Sequence, residues 1–122
     1  MKILIVDDEP HLRTLIQQTL EELEDEGVDL ITATNGEEAL EILGRGEAID
    51  LLISDVVMPG MDGPTMVEEA RKTRPELRIL FISGYAEEQL RNSINVGNVS
   101  FLPKPFSVQE LAEAAKRTMT AK

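Results

Sequence analysis

Five short apolar runs, separated by stretches of helical period, constrain this chain more than any other feature. Ile3–Val6, Leu30–Ala33, Leu51–Ile53, Ile79–Ile82 and, more weakly, Val99–Leu102 are continuously apolar rather than alternating. Strands of that kind suit a parallel sheet covered on both faces. Between them the period changes. Leu12, Leu15, Ile16, Leu20 and Leu23 share one face of a first helix, and Val108, Leu111, Ala112, Ala115 and Met119 one face of the last. Both stripes read as core contacts.

The punctuation agrees with this alternation. Asn35 with Glu38, and Ser107 with Glu110, have capping-box spacing and mark two helix starts. Pro64 after Gly63 suits the first turn of a third helix, and Pro75 follows its end. A shorter helix is predicted over Glu87 to Asn95, with Gly97 as terminator. Strand and helix thus alternate five times, without linker, repeat or low-complexity stretch. The expected fold is a three-layer, doubly wound α/β domain spanning 1–122. Its sheet would be parallel, of flavodoxin-like order 2-1-3-4-5, with a crevice at the carboxyl ends of the strands.

Composition removes several function classes. A chain of 122 residues can bury one core without staples. It has no cysteine, so disulfides and thiolate metal sites are unavailable, which suits a reducing compartment. No apolar run approaches the roughly 20 residues of a membrane span, and no leader pattern opens the chain. A cytoplasmic location without membrane contact is expected. The net charge of −11 would repel nucleic-acid backbones, so direct nucleic-acid binding is not expected. The acidic run Glu21, Glu22, Glu24, Asp25, Glu26 reads as a solvated helix end.

The polar residues at the strand ends carry the chemistry. The first strand runs into Asp7, Asp8 and Glu9; the third ends at Ser54 and Asp55, the fourth at Ser83 and Gly84, the fifth at Lys104 and Pro105. In a parallel sheet all of these lie at one edge, and strands one and three are neighbours. Converging carboxylates raise one another's pKa unless a cation sits among them. Oxygen ligands with room for water suit Mg²⁺. Lys104 adds positive charge, Ser83 a hydroxyl, and Gly84 space and an N–H. A carboxylate can itself be the nucleophile, forming an acyl phosphate, with metal and lysine stabilising the transferred charge. Singly, each aspartate would read as a cap or turn residue; their coincidence at one edge favours a phosphoryl-transfer site. Glu9 reads as a first-turn residue favoured by the helix dipole, and His11 as helix surface. Asp62-Gly63 reads as turn chemistry only.

Along its whole length the chain resembles the receiver domains of two-component response regulators. The matching stretches are Ile-Leu-Ile-Val-Asp-Asp-Glu-Pro (3–10), Asp-Val-Val-Met-Pro-Gly-Met-Asp-Gly (55–63), Phe-Ile-Ser-Gly-Tyr-Ala (81–86) and Phe-Leu-Pro-Lys-Pro-Phe (101–106). The resemblance implies that Asp55 accepts a phosphoryl group from a phosphohistidine. It implies Mg²⁺ bound directly by Asp8, Asp55 and the backbone carbonyl of Val57, and through water by Asp7. Ser83 would follow the phosphoryl group, Lys104 would pair with it, and Phe101 would be the switch aromatic, a role compatible with a core position. The Lys104–Pro105 bond would be cis. The implied partners are a histidine kinase or histidine phosphotransferase, and a phosphorylation-dependent homodimer is compatible with the family. Val57 and Tyr85 offer little to orient an attacking water, so slow spontaneous dephosphorylation is expected.

The second half, notably residues 52–65 and 83–90, is similar to the C-terminal receiver of alphaproteobacterial hybrid histidine kinases that control the cell cycle. The first helix, longer than usual, and the segment through Asn35 to Leu40 look more like free-standing regulators of thermophilic bacteria. A natural mosaic, a recombined front half or drift each accounts for this. Two other classes compete. A phosphohydrolase with an aspartyl-phosphate intermediate would place its nucleophile after the first strand with a second Asp two residues on, where this chain has Glu9. A flavin-binding module would want a Ser/Thr/Gly-rich loop where this chain has Asp-Asp-Glu-Pro. A phosphate-independent interaction module is the remaining alternative.

Overall fold

The computed structural model of the protein describes residues 2–23, 29–46, 48–84 and 99–120. In chain order these form β1 (Lys2–Val6), α1 (Pro10–Leu23), β2 (Asp29–Ala33), α2 (Gly36–Gly44), β3 (Leu51–Asp55), α3 (Gly63–Thr73), β4 (Arg78–Ser83), β5 (Val99–Pro103) and α4 (Val108–Thr120). The five strands make one sheet of order β2-β1-β3-β4-β5, and every pair is parallel. The helix expected over Glu87 to Asn95, Gly97 and Tyr85 lie outside the described residues.

Apolar residues fill both faces of the central strands, which is why those runs are continuous. Leu4, Val6, Leu52, Ile79 and Phe81 pack on one side with Ala39, Ile42 and Leu43 of α2 and Met66, Val67 and Ala70 of α3. Ile3, Ile5, Leu51, Ile53, Leu80 and Ile82 pack on the other with Ile16 and Leu20 of α1 and Leu111, Ala114 and Ala115 of α4. Removing each Leu, Ile, Val, Met or Phe side chain among them from water contributes about 1.5–3 kcal/mol. Two members of the expected stripes are exposed, Leu15 at 39% and Val108 at 50%, and Ala114 rather than Ala112 enters the core of the last helix. Both helices also bury a threonine, Thr19 in α1 and Thr118 in α4, whose hydroxyls donate to the carbonyls four residues back, Leu15 and Ala114.

The caps differ in completeness. Ser107 and Glu110 form a reciprocal box, each backbone N–H donating to the other's side chain at 3.0 Å. At α2 only half of the box forms. Asn35 Oδ1 accepts from the Glu38 N–H at 2.8 Å, while the Glu38 carboxylate accepts from the Thr34 hydroxyl instead.

Candidate functional site

The carboxyl ends of β1, β3, β4 and β5 form the site. Val6 pairs with Ser54, Asp55 with Ile82, and Ser83 with Pro103, so the residues that follow each apolar run come together at one level. Asp7 is buried, Asp55 nearly so, and Asp8 exposed. Carboxylate oxygens of these three residues lie within 4.8 Å of one another. Ser83 is buried at the end of β4, and the Lys104 N–H donates to its carbonyl at 2.8 Å. Lys104 Nζ reaches Asp55 Oδ2 at 2.8 Å. The Lys104–Pro105 peptide bond is cis.

Asp7 is held by three bonds around its backbone and one oxygen. Its N–H donates to the Ala33 carbonyl at 3.1 Å, its carbonyl accepts from Arg13 Nη1 at 2.8 Å, and Oδ1 accepts from the Glu9 N–H at 2.8 Å. Oδ2 is buried and has no hydrogen-bond partner among the described residues. Burial, opposed by the Glu9 bond and reinforced by the Asp55 charge, pushes the Asp7 carboxyl up to about 6. An orphaned carboxylate oxygen beside two further carboxylates fits a hard, oxygen-ligated divalent cation, which would satisfy Oδ2 and offset the mutual repulsion. Burial works to lower the Lys104 pKa, but the bond to Asp55 and the charges of Asp55, Asp7 and Glu9 outweigh it, so the ammonium is held above its usual range.

Several residues sit differently from expectation. Glu9 precedes the helix: α1 begins at Pro10, and the Glu9 carbonyl accepts the first helical bond, from Arg13 N–H. Gly84 is exposed, and among the described residues a Cβ there would meet nothing within 4 Å. Asp62-Gly63 is more than a turn. Asp62 caps α3, accepting from the Thr65 N–H at 2.8 Å, and Gly63 packs against the Asp55 backbone. Val57 is 55% exposed, and its N–H donates to Asp55 Oδ1 at 3.3 Å. Phe101 is buried in the core, its ring 5.9 Å from that of Phe81 at a tilt of 31°. Arg13 had no sequence signal beyond its place one turn into α1. An open groove of about 600 Å³ beside Lys104 is lined by Glu9, His11, Leu12, Leu15, Pro105 and Phe106.

Residues 3–116 match the family described as the response regulator receiver domain. This chain belongs to that family. As a receiver domain it is 42% identical over 119 residues to sensor kinase CckA of Brucella abortus (strain 2308), covering 96% of this chain and 12% of that kinase. It is 31% identical to sporulation initiation phosphotransferase F of Bacillus subtilis (strain 168), covering 99% of this chain and 95% of that protein. Among solved structures, the receiver domain of hybrid histidine kinase CckA superposes with a TM-score of 0.81 at 39% identity, covering 98% of this chain and all of that one. Chemotaxis response regulator CheY4 of Vibrio cholerae gives a TM-score of 0.84 at 32% identity, covering 96% of this chain and 97% of that one. The resemblance to a hybrid-kinase receiver is thus met by a relative of that kind, aligned over 119 residues of this chain.

The receiver domain therefore serves as a phosphoacceptor in two-component signalling. Receiver domains bind Mg²⁺ at acidic clusters of this kind and interact with histidine kinases or phosphotransferases. No helix of the described residues is long and apolar enough to cross a membrane.

Proposed function

We propose that Asp55 is the residue that takes the phosphoryl group, in a Mg²⁺-dependent transfer from a phosphohistidine of a histidine kinase or histidine phosphotransferase. A carboxylate oxygen of Asp55 attacks phosphorus, the P–N bond breaks, and the imidazole keeps the electron pair and is protonated. Asp7, Asp8, Asp55 and the Val57 carbonyl would hold Mg²⁺, which supplies charge neutralisation to the transferring group. Lys104 exchanges its bond to Asp55 Oδ2 for one to a phosphoryl oxygen, and Ser83 supplies a hydroxyl to the same group. The packed ring of Phe101 joins this end of the sheet to a partner-binding face.

The single observation behind this assignment is the Lys104–Asp55 bond of 2.8 Å within a cluster of three carboxylates. Lysine and metal ligands then flank one nucleophile. Residues 1–122 would act as one cytoplasmic receiver domain without independent substrate turnover or nucleic-acid contact, its charge of −11 opposing the latter. Phosphorylation-dependent homodimerisation would be its route to self-association.

Phosphoramidate, a small P–N donor, tests the assignment. The chain should gain one phosphoryl group with Mg²⁺ and none with EDTA, and the adduct should map to Asp55 by peptide mass. An adduct on another residue would contradict it.

A further inference from the structure

Gly63 opens α3 against the back of the acceptor. A Cβ built on it would lie 2.5 Å from the Asp55 carbonyl oxygen, 3.0 Å from Phe81 Cε1 and 3.2 Å from Val56 Cα. The nearest of these is backbone, so no side-chain rearrangement relieves it. The Gly63 N–H also donates to the Val56 carbonyl at 2.9 Å, while the Val56 N–H donates to the Ile82 carbonyl at 3.2 Å. The acceptor segment is therefore gripped by β4 on one side and by the first turn of α3 on the other. The next residue, Val57, turns its N–H onto Asp55 Oδ1.

Gly36 opens α2 in the same way but has different neighbours. The three atoms nearest to a Cβ on Gly36 all belong to the Met61 side chain, at 3.2–3.3 Å, and none is backbone, so a flexible side chain rather than the main chain has to give. Of the glycines that open helices among the described residues, Gly63 alone has the acceptor backbone among its nearest neighbours.

We propose that Gly63 is a positioning residue for phosphoryl acceptance. Its missing side chain lets α3 close on Val56 and so aims the Asp55 carboxylate through the Val57 N–H. This rests on Asp55 being the acceptor. A Cβ at this position has to part α3 from β3, which tilts the Val56–Val57 peptide and displaces the carboxylate from its partners. Errors of about 1 Å in such an alignment can cost about a hundredfold in rate.

The test compares wild type, Gly63→Ala and Gly36→Ala, with acetyl phosphate as donor and intact mass as the readout. Circular dichroism establishes that each is folded, and calorimetric titration gives Mg²⁺ affinity. Folded Gly63→Ala should label about tenfold or more slowly than wild type and bind Mg²⁺ more weakly, with Gly36→Ala close to wild type in both. A merely structural glycine would change the melting temperature and leave Mg²⁺ affinity and labelling rate of the folded protein alone; that result would overturn the proposal. Should Gly63→Ala not fold, Asp62→Ala decides. It removes the α3 cap without adding an atom and should slow labelling about two- to threefold as the first turn loosens; a wild-type rate would overturn the proposal. Wild type that takes up no phosphoryl group would instead contradict the assignment of Asp55.

Discussion

Lys104 Nζ donates a 2.8 Å hydrogen bond to Asp55 Oδ2 across 49 positions of sequence, joining the loop after β5 to the end of β3. The pair is partly shielded, with side-chain exposures of 32% for Lys104 and 11% for Asp55. An ion pair with that much solvent contact adds about 1 kcal/mol or less to stability. Its main consequence lies in transfer, where the ammonium meets charge developing on phosphorus. Lys104→Met is expected to melt within a few degrees of wild type yet label with acetyl phosphate about a hundredfold more slowly. Parallel loss of folding and labelling would contradict this.

Asp7 makes stability depend on pH in an unusual direction. Its carboxyl is pushed from 3.8 to about 6 by burial, so ionisation costs more in the folded chain than in the unfolded one. The penalty is absent below the unfolded value, grows between 3.8 and about 6, and is complete above that window. Metal-free protein should therefore lose stability as pH rises from about 4 to about 7, by roughly 2–3 kcal/mol from this group. Asp7→Asn should flatten that slope and raise the metal-free melting temperature near neutral pH, while binding Mg²⁺ more weakly. Melting curves over this range, with and without Mg²⁺, check both; an unchanged slope in Asp7→Asn would count against the buried carboxylate.

Val57 bears on the lifetime of the phosphorylated state. An exposed isopropyl group beside Asp55 cannot hydrogen-bond a water for in-line attack. Spontaneous loss of the phosphoryl group is expected to be slow, and Val57→Asn to speed it about tenfold. Decay of the intact-mass adduct after donor removal measures this. A wild-type half-life of seconds would refute it.

The Ser107–Glu110 box offers a control on stability alone. Ser107→Ala leaves the Glu110 N–H without its side-chain acceptor and should cost about 1 kcal/mol. Mg²⁺ affinity and labelling of the folded protein should stay at wild-type values, which chemical denaturation and the same mass assay would show.

The sheet order and the acidic cluster were legible because both follow from strand ends. Once Ile3–Val6 and Leu51–Ile53 are adjacent parallel strands, the aspartates after them must converge. Residues whose role depends on distance across the fold were not legible. Gly63 reads as an ordinary turn glycine until α3 is seen against the Asp55 carbonyl. Arg13 becomes part of the site only because α1 brings its guanidinium back to the Asp7 carbonyl. Leu15 and Val108 obey helical period, yet they lie at exposed positions of their helices, while Thr19 and Thr118, which carry no apolar signal, are buried. Glu38 has box spacing, but Thr34 competes for its carboxylate.

Intact mass after incubation with acetyl phosphate tests the central claim most directly. Wild type should gain a single phosphoryl group that requires Mg²⁺, and Asp55→Asn should gain none. A folded wild type that stays unmodified under conditions that trap acyl phosphates would contradict it, leaving a phosphate-independent interaction module as the better account.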